Sequence, residues 1–478
     1  MNSILRLFFA AFVVVGVSSQ AFSQAYKINV KVRGVSDTAC YLAYHFGDKQ
    51  YLKDTAMADS KGSFTFSGKE ALPGGIYLVV LPGKKYFEII VNEQNFSLET
   101  DTLDYVKNMK IKGSIENTLF FDYLNFLGPK GTSLDSLQKS FANAKDKKDS
   151  TAIREKIESL NKEVMDYRSN VVKSNPGTFV AMLFKAMTVP EPSKEEEEAA
   201  KAKGDSAYQV FKFRYYKNHF FDNIDFNDDR ITRTPIYHQK LKEYISNLTV
   251  PNVDSINKAS DWLIEKAKNN KELFKYAVWY ITTTHETSNL MGADAVYVHM
   301  VEKYYKTKQA FWVDTATLRK IVDRSNLLKP LLIGKKAPQL VLADSNKKYH
   351  ALHNLTSKYT IVYFWDPNCG HCQKETPKLY DVYKKYKNQG VQTYAVNIDR
   401  DRKKWIEYIN KHDLKWLNVY DPDYRISFKQ LYDIYSTPVI YLLNEKKEII
   451  AKRIGVEQVD EILGNMIKAD KEKNQKGK

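Results

Sequence analysis

Hydrophobic and polar residues alternate along the chain between residues 26 and 100. Alternation with a period of two is typical of strands that turn one face to a core and the other to water. Turn residues separate the runs, as at residues 59–62 and 73–75. The pattern predicts a small antiparallel β-sandwich over residues 24–113, with strands at 26–32, 63–67, 75–81, 86–91 and 96–100.

From about residue 114 the hydrophobic positions recur with the period of a helix, for example over residues 151–172 and 273–284. Pro176, Pro190 and Pro251 interrupt this pattern, as expected between helices. We therefore expect an all-α middle domain over residues 114–330.

After residue 331 strands alternate with helices. Residues 359–365 are an apolar, β-branched run suited to a central strand, and a helix is expected over residues 369–387. This interleaving predicts a C-terminal α/β domain over residues 331–467 with a parallel component. The charged tail, residues 468–478, lacks apolar anchors and is expected to fray.

The first 23 residues have the layout of a secretory signal peptide. Arg6 precedes the apolar run of residues 7–17, and Ala21 and Ser23 supply small side chains at a cleavage site. The run is shorter than the roughly 20 residues that span a bilayer. We expect cleavage after Ser23 and a protein of the periplasm or cell envelope without a transmembrane span after cleavage.

Composition narrows the class of protein. A chain of 478 residues, 43% hydrophobic, is too long for one domain and too apolar for disorder. The 73 Lys and Arg exceed the 57 Asp and Glu, which gives a formal net charge of +16. The basic residues are nevertheless spread along the chain and form no nucleic-acid recognition motif. No nucleic-acid partner is therefore expected. Three cysteines exclude a disulfide-dense miniature fold.

Isolated cysteines and histidines do not indicate a metal. Cys40 has no second cysteine nearby and is expected to be a buried structural thiol. The histidines of the middle region lack metal-ligand spacing, so no metal is predicted there. They are His219, His238, His285 and His299.

The candidate chemistry lies in a C-x-x-C motif between the strand at 359–365 and the following helix. At the helix start, free backbone N–H groups and the helix dipole favour the thiolate of Cys369. Cys372, one turn further, is placed to close a disulfide with it. His371, when cationic, would stabilise the reduced form. Haem attachment is disfavoured because Gln373 stands where a histidine is needed, and zinc because a second ligand pair is missing.

The segment 364–377 resembles the active site of the thioredoxin superfamily, and in particular the envelope thiol-disulfide oxidoreductases of the TlpA/ResA type. Pro377 lies where that family kinks its active-site helix. Thr437 and Pro438, just before a strand, resemble the family's cis-proline, which lets a substrate strand pair beside the cysteines. Glu375 matches an acid that these reductases carry near their cysteines.

The resemblance implies roles for individual residues. Cys369 would attack and Cys372 would resolve, with His371 tuning the potential and Glu375 relaying the proton of Cys372. Substrate binding is expected at Trp365, Thr437 and Pro438. The implied partners are protein thiols and disulfides, with a membrane electron donor or acceptor, and no dissociable cofactor is implied because the cysteine pair carries the electrons.

The motif also departs from its relatives. Tyr363 stands where cytoplasmic thioredoxin has a buried aspartate, and Asn368 where it has a tryptophan, which argues against a general cytoplasmic reductase. The Gly-His dipeptide is that of protein disulfide isomerases. A peroxiredoxin-like peroxidase is disfavoured because Asp366 occupies the place of its threonine. The redox direction therefore stays open between reduction, oxidation and isomerisation.

The three-part layout resembles exported proteins common in Bacteroidota. The thioredoxin-like part covers under a third of the chain, so another class of function stays open. In this alternative the protein is an envelope binding or scaffold protein whose thioredoxin-like domain holds clients without turnover.

Overall fold

The computed structural model describes residues 24–144, 146–288 and 290–476. The expected signal peptide, residues 1–23, lies outside the described residues. The chain divides into two compact units, Met1–Leu241 and Lys242–Lys478. Within the described residues, no helix combines the length and the apolar character needed to cross a membrane.

The N-terminal domain contains two four-stranded sheets, in the orders β4-β1-β7-β8 and β3-β2-β5-β6. Alternate residues of β1 are buried, as its sequence pattern predicts. The β-sandwich is confirmed, but β1 and β7 pair in parallel, where only antiparallel pairing was expected. The strands are β1 Tyr26–Arg33, β2 Ala39–Phe46, β3 Lys49–Met57, β4 Ser63–Gly68, β5 Gly75–Val80, β6 Tyr86–Val91, β7 Asn95–Asp101 and β8 Lys110–Lys112.

The middle of the chain is helical, as predicted, and its helices extend across the boundary between the two units. Side-chain caps begin most of them: Ser114, for example, accepts from the backbone N–H of Asn117 at the start of the first helix. The helices are α1 Ile115–Ala142, α2 Lys147–Ser174, α3 Phe179–Ala186, α4 Lys194–Lys201, α5 Asp205–His219, α6 Pro235–Ser246, α7 Val253–Ala267, α8 Lys271–Glu286, α9 Ala293–Met300 and α10 Thr315–Leu328.

The histidines of this region take part in protein hydrogen bonds. Nδ1 of His285 lies 2.7 Å from the carbonyl oxygen of Ile281, and Nε2 of His299 lies 2.9 Å from Oδ1 of Asp261. These contacts agree with the expectation that the histidines satisfy local packing and hydrogen bonding.

The C-terminal domain is built on a seven-stranded mixed sheet in the order β10-β9-β13-β12-β11-β14-β15. The central strand β11 is buried at all seven positions, because helices cover both faces of the sheet. β12 and β13 continue the sheet in parallel from β11, whereas β14 pairs with β11 antiparallel. The elements are β9 Val341–Ala343, β10 Tyr349–Ala351, β11 Tyr359–Trp365, α11 Gly370–Tyr386, β12 Val391–Asn397, α12 Arg402–Lys411, β13 Leu417–Tyr420, α13 Phe428–Tyr432, β14 Val439–Leu443, β15 Ile449–Lys452 and α14 Val456–Lys476.

The charged tail is helical within the described residues, and its fraying stays a prediction. α14 continues to Lys476. Asp470 anchors this last part, because its carboxylate accepts from the hydroxyl of Tyr359 at 2.5 Å and pairs with Nζ of Lys358 at 2.8 Å. Polar contacts of this kind cannot be predicted from the pattern of hydrophobic residues.

Within the second unit, buried ion pairs join the helices to the sheet. Lys452 on β15 pairs with Asp294 on α9. Asp433, which follows α13 and is 1% exposed, pairs with Arg324 on α10 and Arg453 after β15. The last helices of the middle region therefore pack directly against the domain that holds the cysteine pair.

Candidate active site

Cys369 lies at the N-cap of α11, directly after the turn that follows the central strand β11. Its backbone N–H donates to the carbonyl oxygen of Asp366 at 3.1 Å. Asn368 fixes the same turn, since its backbone N–H donates to the Asp366 carboxylate at 2.7 Å and its amide donates to Asp399 at 2.7 Å. The turn places Cys369 at the N-terminal end of the helix, next to its free backbone N–H groups.

This position favours the thiolate form of Cys369. Burial acts to raise the pKa of the thiol, but hydrogen bonds from the backbone N–H groups of Cys372 and His371 and from the side chains of Thr437 and Cys372 outweigh it. The pKa of Cys369 is therefore lowered from its ordinary value. The helix start supplies these N–H groups because they have no partner inside the helix.

Cys372 has the opposite environment. It is 0% exposed, and burial, with the nearby charge of Cys369, raises its pKa to about 12. The two cysteines are free thiols within one helical turn. A partly exposed nucleophile and a buried partner that stays protonated are the arrangement needed for a two-step disulfide exchange.

Thr437 and Pro438 lie opposite the cysteines, as predicted. The peptide bond between them is cis, and the thiol of Cys369 donates to the carbonyl oxygen of Thr437 at 3.4 Å. A cleft of about 380 Å³ opens beside them, lined by Pro438, Glu375 and Arg453 among others. The roles in substrate binding expected for Thr437 and Pro438 stay predictions.

His371 and Glu375 lie on either side of Cys372 along α11. The Glu375 carboxylate accepts from Nζ of Lys378 at 2.8 Å and borders the cleft. His371 is exposed to solvent between the two cysteines. The proton-transfer and tuning roles expected for these side chains stay predictions.

Trp365 is not available to a substrate, and this expectation was wrong. The side chain is 0% exposed and packs in the core, with ring centroids 6.2 Å from Tyr363 and 5.2 Å from Tyr408. Trp365 follows Tyr363 by two residues on β11, so both side chains point to the same face of the sheet. This is the face that α11 and α12 cover.

Two buried hydroxyls close to Cys372 along α11 and β11 were not predicted from the sequence. The hydroxyl of Tyr363 lies 2.8 Å from that of Thr376, and both residues are 0% exposed. Tyr408, on α12, lies on the same side of the sheet. Thr376 follows Cys372 by four residues on one helix, a spacing that could have suggested it. No sequence signal points to Tyr408, which comes from another helix.

Cys40, the third cysteine, lies on β2 in the N-terminal domain. It is 0% exposed, and burial raises the pKa of its thiol. The expectation of a buried thiol is confirmed.

A mixed sheet covered by helices, a C-x-x-C at the start of the helix after a central strand, and a cis-proline opposite define a thioredoxin-like domain. Residues 333–452 match the AhpC/TSA family. Residues 26–120 and 206–329 match two domains of unknown function, DUF4369 and DUF5106. The C-terminal domain is thus thioredoxin-like in fold, with a match to the AhpC/TSA family over residues 333–452.

Relatives of this domain are thiol-disulfide oxidoreductases. The protein named thiol-disulfide oxidoreductase ResA from Bacillus cereus is 29% identical over 136 residues, which cover 28% of this chain and 78% of the relative. ResA from Bacillus subtilis is 30% identical over 117 residues, 24% of this chain and 64% of the relative. The solved domain of a possible thiol-disulfide isomerase from Cytophaga hutchinsonii is 48% identical, covers 31% of this chain and 99% of its own, and has a TM-score of 0.28.

Proposed function

We propose that the protein is an exported thiol-disulfide oxidoreductase that exchanges disulfides with protein substrates through Cys369 and Cys372. Cys369 attacks a client disulfide as the thiolate, and Cys372 then attacks Cys369 to release the client. Thr437 and Pro438 hold the client chain beside the sulfur. Glu375 borders the same cleft.

One observation carries the proposal: Cys369 lies partly exposed at the start of α11, 3.4 Å from the carbonyl oxygen of Thr437 before the cis-proline, while Cys372 is buried one turn further along the helix. A structural thiol pair does not need this asymmetry, whereas an exchange reaction does, because only the first cysteine has to react with an outside disulfide. The cleft beside Pro438 supports a client of peptide nature.

Reduction of insulin and recovery of scrambled ribonuclease test the activity. We expect the wild type to accelerate at least one of the two reactions, Cys369→Ser to be inactive and Cys372→Ser to trap mixed disulfides. Cys40→Ala is the matched control, because it removes the remaining thiol of the chain outside the motif. Equal activity of the wild type and Cys369→Ser would end the enzyme proposal and favour a scaffold that holds clients without turnover.

Location and redox direction are parts of the same proposal with their own measurements. Export is supported by the apolar run at residues 7–17, and the mature protein from an exporting host is expected to begin at Gln24. A start at Met1 would contradict it.

The equilibrium of the cysteine pair with glutathione gives the redox direction. A potential near about −270 mV indicates a reductase, and one near about −180 mV indicates isomerisation or oxidation.

A further inference from the structure

The proposed exchange requires Cys372 to lose a proton inside the core. Only the thiolate attacks a disulfide, and Cys372 is 0% exposed with a pKa raised to about 12. The charge of Cys369 contributes to that rise and disappears once Cys369 is in a mixed disulfide, but burial contributes most and remains. The proton therefore needs a route out of the core.

Glu375 is hydrogen-bonded to a surface lysine and not to Cys372. Its carboxylate accepts from Lys378 at 2.8 Å and lines the cleft beside Pro438. The residue at the position of thioredoxin's buried aspartate is Tyr363, whose side chain points to the face of the sheet that α11 covers. A phenol in this place can pass a proton on while remaining neutral.

Hydroxyls continue from Tyr363 along the same face. Its hydroxyl lies 2.8 Å from that of Thr376, where either oxygen can donate, and Thr376 lies one turn after Cys372 on α11. Burial raises the pKa of both Tyr363 and Tyr408, and the charge of a Cys372 thiolate raises each of them further. Tyr363, on β11, belongs to the buried cluster that contains Cys372, and Tyr408, on α12, packs against that cluster.

Tyr408 connects this group to the surface. Its hydroxyl donates to the carbonyl oxygen of Gln373, the residue after Cys372, at 3.3 Å. The side chain is only partly buried and stacks on His412 with ring centroids 4.2 Å apart. The ionisable groups around the buried sulfur are thus Cys369, Tyr363 and Tyr408, with Glu375 acting on Tyr363.

We propose that the hydroxyls of Tyr363, Thr376 and Tyr408 form a relay that carries the proton of Cys372 to the surface as Cys372 attacks. The proposal rests on the proposed function, since it concerns the second step of the exchange. The sulfur of Cys372 forms a bond to that of Cys369, and the bond from Cys369 to the client sulfur breaks. The two cysteines are oxidised to a disulfide, and the client disulfide is reduced to two thiols.

Protons balance in the same step. The proton of Cys372 enters the relay at Tyr363, each hydroxyl passes on its own proton, and one proton leaves to solvent from Tyr408. The client sulfur departs as a thiolate and is protonated by solvent. In the reverse direction the relay returns a proton to Cys372 when a client thiolate opens the disulfide.

The two steps can be timed separately with the aromatic disulfide dithiobis(nitrobenzoate) in stopped flow. The full-length protein is expected to release one thionitrobenzoate when Cys369 attacks and a second when Cys372 resolves. Tyr363→Phe is expected to leave the first phase unchanged and slow the second by about tenfold or more near neutral pH. Its second phase is also expected to rise more steeply with pH, because hydroxide then has to reach the thiol.

Matched variants separate a relay from a packing effect. Thr376→Val is expected to slow the second phase, whereas Thr376→Ser, which keeps the hydroxyl, is expected to restore it. A double variant of Tyr363→Phe and Tyr408→Phe is expected to be no slower than the slower single variant, because both act on one path. Tyr394→Phe is the control: this tyrosine is also 0% exposed, but it packs on the other face of the sheet.

The outcomes are distinct. Normal second phases in Tyr363→Phe and Thr376→Val would overturn the relay and leave the proposed function intact. The relay is equally overturned if Tyr394→Phe slows the second phase to the same extent, or if Glu375→Gln slows it and Tyr363→Phe does not. Absence of both phases in the wild type would instead overturn the proposed function itself.

Discussion

Cys369 and Cys372 lie within one turn of α11, yet their pKa values shift in opposite directions. Backbone N–H groups at the helix start stabilise the thiolate of Cys369, whereas burial keeps Cys372 protonated. The difference between them arises from depth in the fold, since the residue type is the same. It determines which sulfur an outside reagent meets first.

Alkylation should therefore be selective for Cys369. Because its pKa is lowered, the thiolate fraction at neutral pH is larger than for a free cysteine. The rate should rise with pH and reach half its maximum below the ordinary thiol value of about 8.5. Iodoacetamide labelling of the native protein, followed by peptide mass spectrometry over a range of pH, gives this midpoint.

Two cysteines provide the internal comparison. Cys372 and Cys40 are both 0% exposed, so native labelling should leave them unmodified, and labelling in urea should modify both. If Cys372 reacts as fast as Cys369 in the native protein, the assignment of attacking and resolving roles is wrong.

The residue between the cysteines should set the redox potential. His371 is exposed, and replacing it by proline restores the Gly-Pro dipeptide of thioredoxins. We expect His371→Pro to make the reduction potential more negative, by at most the roughly 90 mV between about −270 and about −180 mV. Equilibration with glutathione, followed by alkylation of the reduced pair, measures the change.

A second, partly exposed histidine gives the control for that measurement. His219 pairs with Asp222 in the helical region, and His219→Pro would break a helix, so His219→Gln is the better choice. It should leave the potential unchanged. A shift of the potential to less negative values in His371→Pro would contradict the tuning role.

The sequence predicted the domains well because burial repeats with a period. Residues 359–365 form an apolar run, and all seven are buried in β11. β3 was missed for the converse reason: its sequence is mostly polar and none of its residues is buried, so the strand depends on backbone pairing with β2. Parallel pairing of β1 with β7 was missed because pattern alone does not give strand direction.

The site was predictable only where its residues are close in sequence. The motif around Cys369 and the pair Thr437 and Pro438 follow from known family patterns. Trp365 was misplaced because the pattern does not show how deep an aromatic side chain lies. Tyr408 was missed because it comes from α12, and only the fold brings it to Trp365 at a ring distance of 5.2 Å.

In the first unit, Glu116 should act as a buried cap for α3. Its carboxylate accepts from the backbone N–H groups of Phe179 at 2.6 Å and Val180 at 2.9 Å, and it is 1% exposed. Burial raises the pKa of Glu116, and these two hydrogen bonds oppose the rise. Glu116→Ala leaves both N–H groups unpaired and should destabilise this unit by about 2 kcal/mol or more.

Hydrogen exchange tests this capping role directly. The amides of Phe179 and Val180 should exchange faster in Glu116→Ala, and the urea midpoint measured by circular dichroism should fall. Glu99→Ala is the comparison, because Glu99 is partly exposed and its ion pair with Lys31 is 3.8 Å long, so we expect a change below about 0.5 kcal/mol. Unchanged exchange at both amides in Glu116→Ala would refute the cap.

The second unit should depend on the charge of Asp433. This carboxylate is buried and pairs with Arg324 and Arg453, and its backbone is left-handed, with a φ of 58°. Asparagine tolerates that conformation, so Asp433→Asn removes the charge without backbone strain. Two arginines then lose their anion, which should cost about 3 kcal/mol.

Tryptophan fluorescence isolates this effect from the rest of the chain. The protein has six tryptophans, and all of them lie beyond residue 241, so urea unfolding followed by fluorescence reports on the second unit alone. Asp423→Asn is the matched control: Asp423 is half-exposed and pairs with Arg425 at 3.6 Å, which is worth less than about 1 kcal/mol. If both variants unfold at the wild-type urea concentration, the buried carboxylate does not hold the last helices of the middle region against the sheet, and packing of apolar side chains alone must do so.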